Sequence, residues 1–218
     1  MVVIFRDDFE TNDFSAWTST TGSPIIVTSP VHHGTYAASF NADSTYIIKM
    51  IPSTNEIYVR LYVRWDSFTL NQYFIFSQVV DSITLNKLAG PYIFNDGGTI
   101  KWGQATFVGG YASSTQRTGA TINTWYCIEV YAKASLTDGA AKMWVNGVEL
   151  TDITQTGVNT IATSFDTIRV GQRESTYAVT NIIDCVDVAN NYIGCERRFL
   201  PLIRNMNPRF TSRTLQHM

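Results

Sequence analysis

A chain of 218 residues that is 44% hydrophobic and 13% aromatic carries enough apolar side chain for one sizeable core, and only 16% of it is charged. That balance excludes an intrinsically disordered chain, which needs fewer apolar and more charged residues. The net charge of -2 is unevenly spread: five Arg and one Glu between Glu196 and Met218 give that stretch +4 and leave the body at -6.

Arginines scattered this thinly do not make a nucleic-acid arm. Cys127, Cys185 and Cys195 lack CxxC spacing, so neither a disulfide framework nor a zinc cluster is indicated, and one bridge remains open. No stretch is long and apolar enough for a spanning helix. Met1 runs directly into VVIFRDDF, without a signal peptide.

In chain order the pattern is of short strands and turns, with no amphipathic helix beyond about two turns. Strands are expected at 2–6, 25–28, 35–40 and 45–50. The next, 56–65, contains IYVRLYVRW, which alternates Val59, Leu61, Val63 and Trp65 against Tyr58, Arg60, Tyr62 and Arg64. Further strands are expected at 73–80, 90–95, 98–102 and 125–134. AAKMWVNGVEL then places Asn146-Gly147, a type I′ hairpin signal, between strands 141–145 and 148–153. The last are 166–171 and 180–188.

So many short antiparallel strands without an internal repeat predict an all-β, two-sheet sandwich in one domain, 1–195. The stretch 196–218, with two prolines and no alternation, reads as a basic C-terminal extension. Arg197, Arg198, Leu202, Arg204 and Phe210 are its candidate docking residues, against its own body or other subunits of an assembly.

NIIDCVDV raises a specific problem. Strict alternation puts Asp184 in one row with Ile182, Val186 and Val188, where a carboxylate is costly unless paired, hydrogen-bonded or metal-bound. His32 and His33, being adjacent, point to opposite faces of a strand and read as surface or capping residues. Trp65, Trp102 and Trp144 are expected in the core.

Four landmarks occur in a familiar order: FRDDFETNDFSAWTS, VHHGTYAASF, NTWYCIEVYAKASLTDGAAKMWVNGVEL and NIIDCVDVANNYIG. Together they resemble the concanavalin A-like lectin/glucanase superfamily and its laminin-G-like domains. The resemblance covers residues 4–194 and implies a jelly-roll sandwich. It implies no activity, because this fold hosts lectins, glycosidases, lyases and adhesion modules. Many members hold a structural calcium, and the matching positions are Asp184, Asp8 and Gly34, a carboxylate with carbonyls of the kind calcium takes. The alternative for Asp184 is that it accepts backbone N–H bonds.

The catalytic strand of the superfamily's glucanases, Glu-x-Asp-x-Glu, has no counterpart, since no two acidic residues here are spaced i,i+4. The Gln-x-His strand of alginate-lyase relatives is missing too, although Arg60, Tyr62 and Arg64 share a face. No catalytic residue is assigned; polysaccharide lyase is the remaining enzyme reading. Tyr58, Arg60, Tyr62 and Arg64, with Lys101 from a neighbouring strand, instead suit a shallow glycan platform on the concave face. The competing reading is a solvated sheet face with cross-strand pairs.

Two roles follow as expectations. One is a non-enzymatic, lectin-like adhesion module for a surface or extracellular glycan. The other is a decoration protein of a larger assembly such as a phage or virus particle. Both place the protein outside the cell or on a particle surface, without membrane insertion.

Overall fold

The computed structural model describes residues 2–41, 44–69, 73–83, 87–107, 111–113, 117–160, 162–173 and 179–196. The docking candidates Arg197, Arg198, Leu202, Arg204 and Phe210 lie outside the described residues.

All described elements are strands. The first third holds β1 (Val3–Asp7), β2 (Ser19–Thr21), β3 (Ile25–Val27), β4 (Ala37–Phe40), β5 (Thr45–Thr54) and β6 (Glu56–Trp65). Then come β7 (Tyr73–Val80), β8 (Lys87–Asp96), β9 (Thr99–Phe107), β10 (Tyr111–Ser113) and β11 (Arg117–Thr118). The rest are β12 (Tyr126–Lys133), β13 (Gly139–Val145), β14 (Val148–Glu149), β15 (Gln155–Val158), β16 (Phe165–Arg173) and β17 (Asn181–Ala189).

They form two antiparallel sheets. Sheet A runs β14-β13-β12-β6-β17-β4-β3, with β1 paired to β17 and β15 to β13. Sheet B runs β10-β9-β8-β7-β16-β5-β2, with β11 paired to β9. The period-2 pattern of β6 decides how sheet A faces the core. Val59, Leu61, Val63 and Trp65 are fully buried, together with Ile128 and Val130 of β12 and Ile183 and Val188 of β17. Sheet B answers with Phe74, Phe76, Ile93, Trp102, Ile168 and Val170. Trp65 joins the layers, its ring 5.5 Å from Trp102 and 5.7 Å from Phe76. At the β13–β14 turn Asn146 and Gly147 have φ of 51° and 81°, the positive values a type I′ turn requires.

One expectation needs correction. The register between β17 and β6 shifts between Asp184 and Asp187, and Cys185 has φ of 50°: the strand carries a bulge. The extra residue breaks the alternation, so Val186 and Val188 face the core while Asp184 and Asp187 both stand on the outer face, opposite Tyr62 and Arg60. The acid is therefore not in the apolar row formed by Val186 and Val188.

Candidate functional site

The outer face of sheet A is built as cross-strand rows. One runs Asp187, Arg60, Glu129, Trp144, Glu149 across β17, β6, β12, β13 and β14. The row beside it runs Tyr58, Tyr131, Lys142, and on the other side stand Asp184, Tyr62 and Cys127. Residues opposite each other in adjacent strands touch, so these rows are the units of interaction.

Beyond β17 the chain turns back and crosses this face. Glu129 holds it: its two carboxylate oxygens accept the backbone N–H groups of Ile193 and Gly194, each at 2.7 Å. The N–H of Glu196 donates to the Tyr62 hydroxyl at 2.8 Å, and Cys195 is disulfide-bonded to Cys127. Closing a loop with a sequence separation of 68 stabilises the folded state by roughly 2–4 kcal/mol. Burial pushes the Glu129 carboxyl above its ordinary range, against the pull of those two N–H groups.

Arg60 lies beneath this strap. Its guanidinium bonds to Asp187 and reaches Glu196 at 3.1 Å, and its side chain is only 4% exposed. Arg6, from β1, meets the other oxygen of Asp187. Arg60 and Tyr62 are therefore not an open platform; they are the bed on which residues 193–196 lie. Arg64 is engaged by Asp66 at 2.9 Å and by the carbonyl and side chain of Asn123. Lys101 is not a neighbour of this row, because β9 belongs to sheet B, and it pairs with Asp96 at 2.6 Å. Of the expected platform, Tyr58, Arg64 and Lys101 are half-buried, the last two tied up in these pairs.

Tyr58 instead belongs to an aromatic shelf. Its ring centre is 4.8 Å from Tyr131, 6.2 Å from Trp144 and 6.4 Å from Tyr192, and Trp144 is 5.3 Å from Tyr192. Trp144 was expected in the core; it is on the outer face and half-buried, because Met143 takes the inward position. Tyr192, supplied by the strap, is 44% exposed. Lys142 and Glu149 flank the shelf, 3.9 Å apart, and Glu56 accepts the Tyr131 hydroxyl at 2.8 Å. Flat rings with polar rims are the chemistry that contacts partners through stacking and edge hydrogen bonds.

The proposed calcium ligands give a different picture. Oδ2 of Asp184 accepts the backbone N–H groups of His32 and His33 at 2.9 and 3.0 Å. Oδ1 accepts the backbone N–H of Cys185 at 2.8 Å and its thiol at 3.3 Å. A carboxylate has about four lone-pair directions, and here all four meet hydrogen donors. Near Gly34 the Glu10 carboxylate accepts Thr35 and Tyr36 N–H at 2.8 and 2.9 Å. Asp8 is exposed and accepts the Glu10 N–H at 3.3 Å. The Asp184 carboxylate is thus taken up by hydrogen donors, which leaves that side chain no lone pair for a calcium ion. Burial raises the Asp184 carboxyl, while the N–H groups of His33 and His32 pull it back.

No protein-family model matches the chain, and no curated protein matches it in sequence. Solved structures match in fold. A cellulose-induced protein, Cip1, superposes with a TM-score of 0.64 at 16% identity, over 88% of this chain and 100% of its own. The globular domain of T. cruzi calreticulin gives 0.60 at 9% identity, over 88% and 89%. Domain 4 of AbnA, a GH43 extracellular arabinanase from Geobacillus stearothermophilus in complex with arabinotriose, gives 0.52 at 13% identity, over 87% and 92%. Such identities establish the fold alone. The chain has the two-sheet, antiparallel jelly-roll sandwich fold that its sequence landmarks imply.

Proposed function

We propose that this protein is a non-enzymatic binding module that recognises a glycan through the aromatic shelf of Tyr58, Trp144 and Tyr192. The observation that carries the reading is that shelf: three rings from two strands and the strap, half-buried or exposed, gathered on the outer face of sheet A. Sugar rings present C–H faces to such surfaces, and the flanking Lys142 and Glu149 supply hydrogen bonds at the rim. The complex of AbnA domain 4 with arabinotriose supports a carbohydrate partner by analogy of fold.

The Cys127–Cys195 bridge supports a site of action outside the cell, where disulfides persist. Binding rather than chemistry is favoured because the superfamily's catalytic strand has no counterpart in the sequence. The test is retention of the full-length, oxidised chain on an array of plant, fungal, bacterial and animal glycans. Selective retention on one class supports the proposal, and uniform silence rejects it.

A further inference from the structure

We propose that the protein has a transition-metal site, best suited to zinc, formed by His32, Cys185 and Glu196. One donor atom of each lies within 4.8 Å of the others. Tetrahedral zinc, with bonds of about 2.3 Å to sulfur and about 2.0–2.2 Å to nitrogen and oxygen, sets its donors roughly 3.3–3.7 Å apart. Side-chain rotations of about 1 Å close the difference. The residues come from three distant segments: the turn before β4, the bulge in β17 and the strap. No sequence spacing announces such a set.

Each donor is held where the metal needs it. The positive φ of Cys185 turns its thiol out of the core, beside Tyr62 and Cys127. The His32 ring stacks on Tyr62 at 3.6 Å and 15°, with the Trp125 ring 5.7 Å away at 67°. The Glu196 backbone is fixed by its N–H on Tyr62 and by the disulfide at the preceding residue, and one of its carboxylate oxygens meets Arg60 at 3.1 Å. Supporting contacts of this kind orient metal ligands in known sites.

The surroundings favour a cation. Cys185 and Glu196 line a cavity of about 420 Å³ together with Asp8, Asp187, Arg6 and Arg60. Asp187 engages both guanidiniums and Arg60 also reaches Glu196 at 3.1 Å, so two positive charges face four carboxylates, Asp187, Glu196, Asp8 and the adjoining Asp184. The mixed thiol, imidazole and carboxylate set is borderline-soft and selects zinc over the hard, oxygen-seeking calcium. On binding, the Cys185 S–H bond breaks, its proton leaves to solvent and a zinc–sulfur bond forms, with no change of oxidation state. Three protein ligands leave the fourth position for water or a ligand in the cavity.

Cobalt(II) tests this directly. Titrated into the chelator-stripped, oxidised full chain, it should develop thiolate-to-cobalt charge-transfer absorption that saturates at one equivalent. Zinc should erase that absorption and calcium should not. Cys185→Ser should abolish the band, and His32→Gln or Glu196→Gln should weaken cobalt binding more than about 100-fold, beyond the loss typical of outer-shell partners. Circular dichroism of each variant verifies its fold. A wild-type chain without the band, a band that survives Cys185→Ser, or affinity unchanged in both His32→Gln and Glu196→Gln overturns the proposal.

Discussion

Arg60 on β6 and Asp187 on β17 stand directly opposite each other, and their side chains form an ion pair with no more than 4% of either exposed. Pairs at the surface, such as Lys133 with Asp138, are screened by water and contribute little. Stranding one partner of a buried pair costs about 3–5 kcal/mol, because a desolvated charge is left alone. Arg60→Ala should therefore lower unfolding free energy by about that amount, measured by urea denaturation. A variant of wild-type stability would show that Arg60 is not buried as described.

The shelf predicts the converse pattern. Tyr192→Ala and Trp144→Ala should each reduce glycan affinity by about 10-fold or more, as truncated aromatic anchors do. Tyr192→Ala should change stability by less than about 1 kcal/mol, since the ring is 44% exposed. Isothermal titration of the two variants against the glycan retained on the array checks both statements. Unchanged affinity in both would remove the shelf from the binding site.

Reducing the Cys127–Cys195 bridge should cost roughly 2–4 kcal/mol and loosen the strap before the sandwich. Hydrogen exchange reads this at two amides, Ile193 and Gly194, which donate to Glu129 in the intact protein. Their protection should fall on reduction while that of β12 and β6 persists. Equal loss throughout would mean that strap and body open together.

The raised carboxyl of Glu129 ties stability to pH. Its folded value lies above the ordinary 4.5 because burial disfavours the charged form. The folded state therefore binds the proton more tightly than the unfolded chain. Its contribution is fully present below the ordinary value and is lost as pH rises through the higher folded one. Glu129→Gln, which cannot ionise, should flatten that part of the stability profile. It should also destabilise the strap, because the amide retains only one acceptor for two N–H groups. Melting temperatures of both chains across the mildly acidic range decide it; parallel curves would contradict the assignment.

With its lone pairs filled by donors, Asp184 predicts indifference to calcium. Neither calcium nor a calcium-selective chelator should move the melting temperature. Asp184→Asn should cost about 1–3 kcal/mol, because an NH₂ group replaces an oxygen that accepts two donors. A calcium-dependent rise in the melting temperature that Asp184→Asn removes would reverse this reading.

The strands with clean alternation were legible from the chain. β6, β12 and the hairpin at Asn146-Gly147 follow directly from period-2 patterning and turn chemistry. β2 and β15 were not, because Ser19–Thr21 and Gln155–Val158 are short and polar, with no apolar row to mark a buried face. The bulge in β17 escaped for a related reason: no glycine or proline marks Cys185, and the tertiary fold imposes its positive φ. That one residue decided where Asp184, Val186 and Asp187 point. Trp144 was recoverable, since alternation from Met143 already turns it outward. Pairing of Cys127 with Cys195, and the gathering of Glu129, Arg60 and Glu196, depend on contacts between residues about 65 to 136 positions apart. No local pattern encodes those.

The bridge also decides how tension would pass through the molecule. A pull on the chain beyond Glu196 reaches Cys195 and passes through a covalent bond into β12, which lies between β13 and β6. The load then reaches a strand paired on both sides, so two ladders of hydrogen bonds share it. Without the bridge the same pull would be borne by the hydrogen bonds of Glu129 and Tyr62 to the strap before it reached β17. Cys195 thus works as an anchor bolt between the crossing segment and the middle of sheet A.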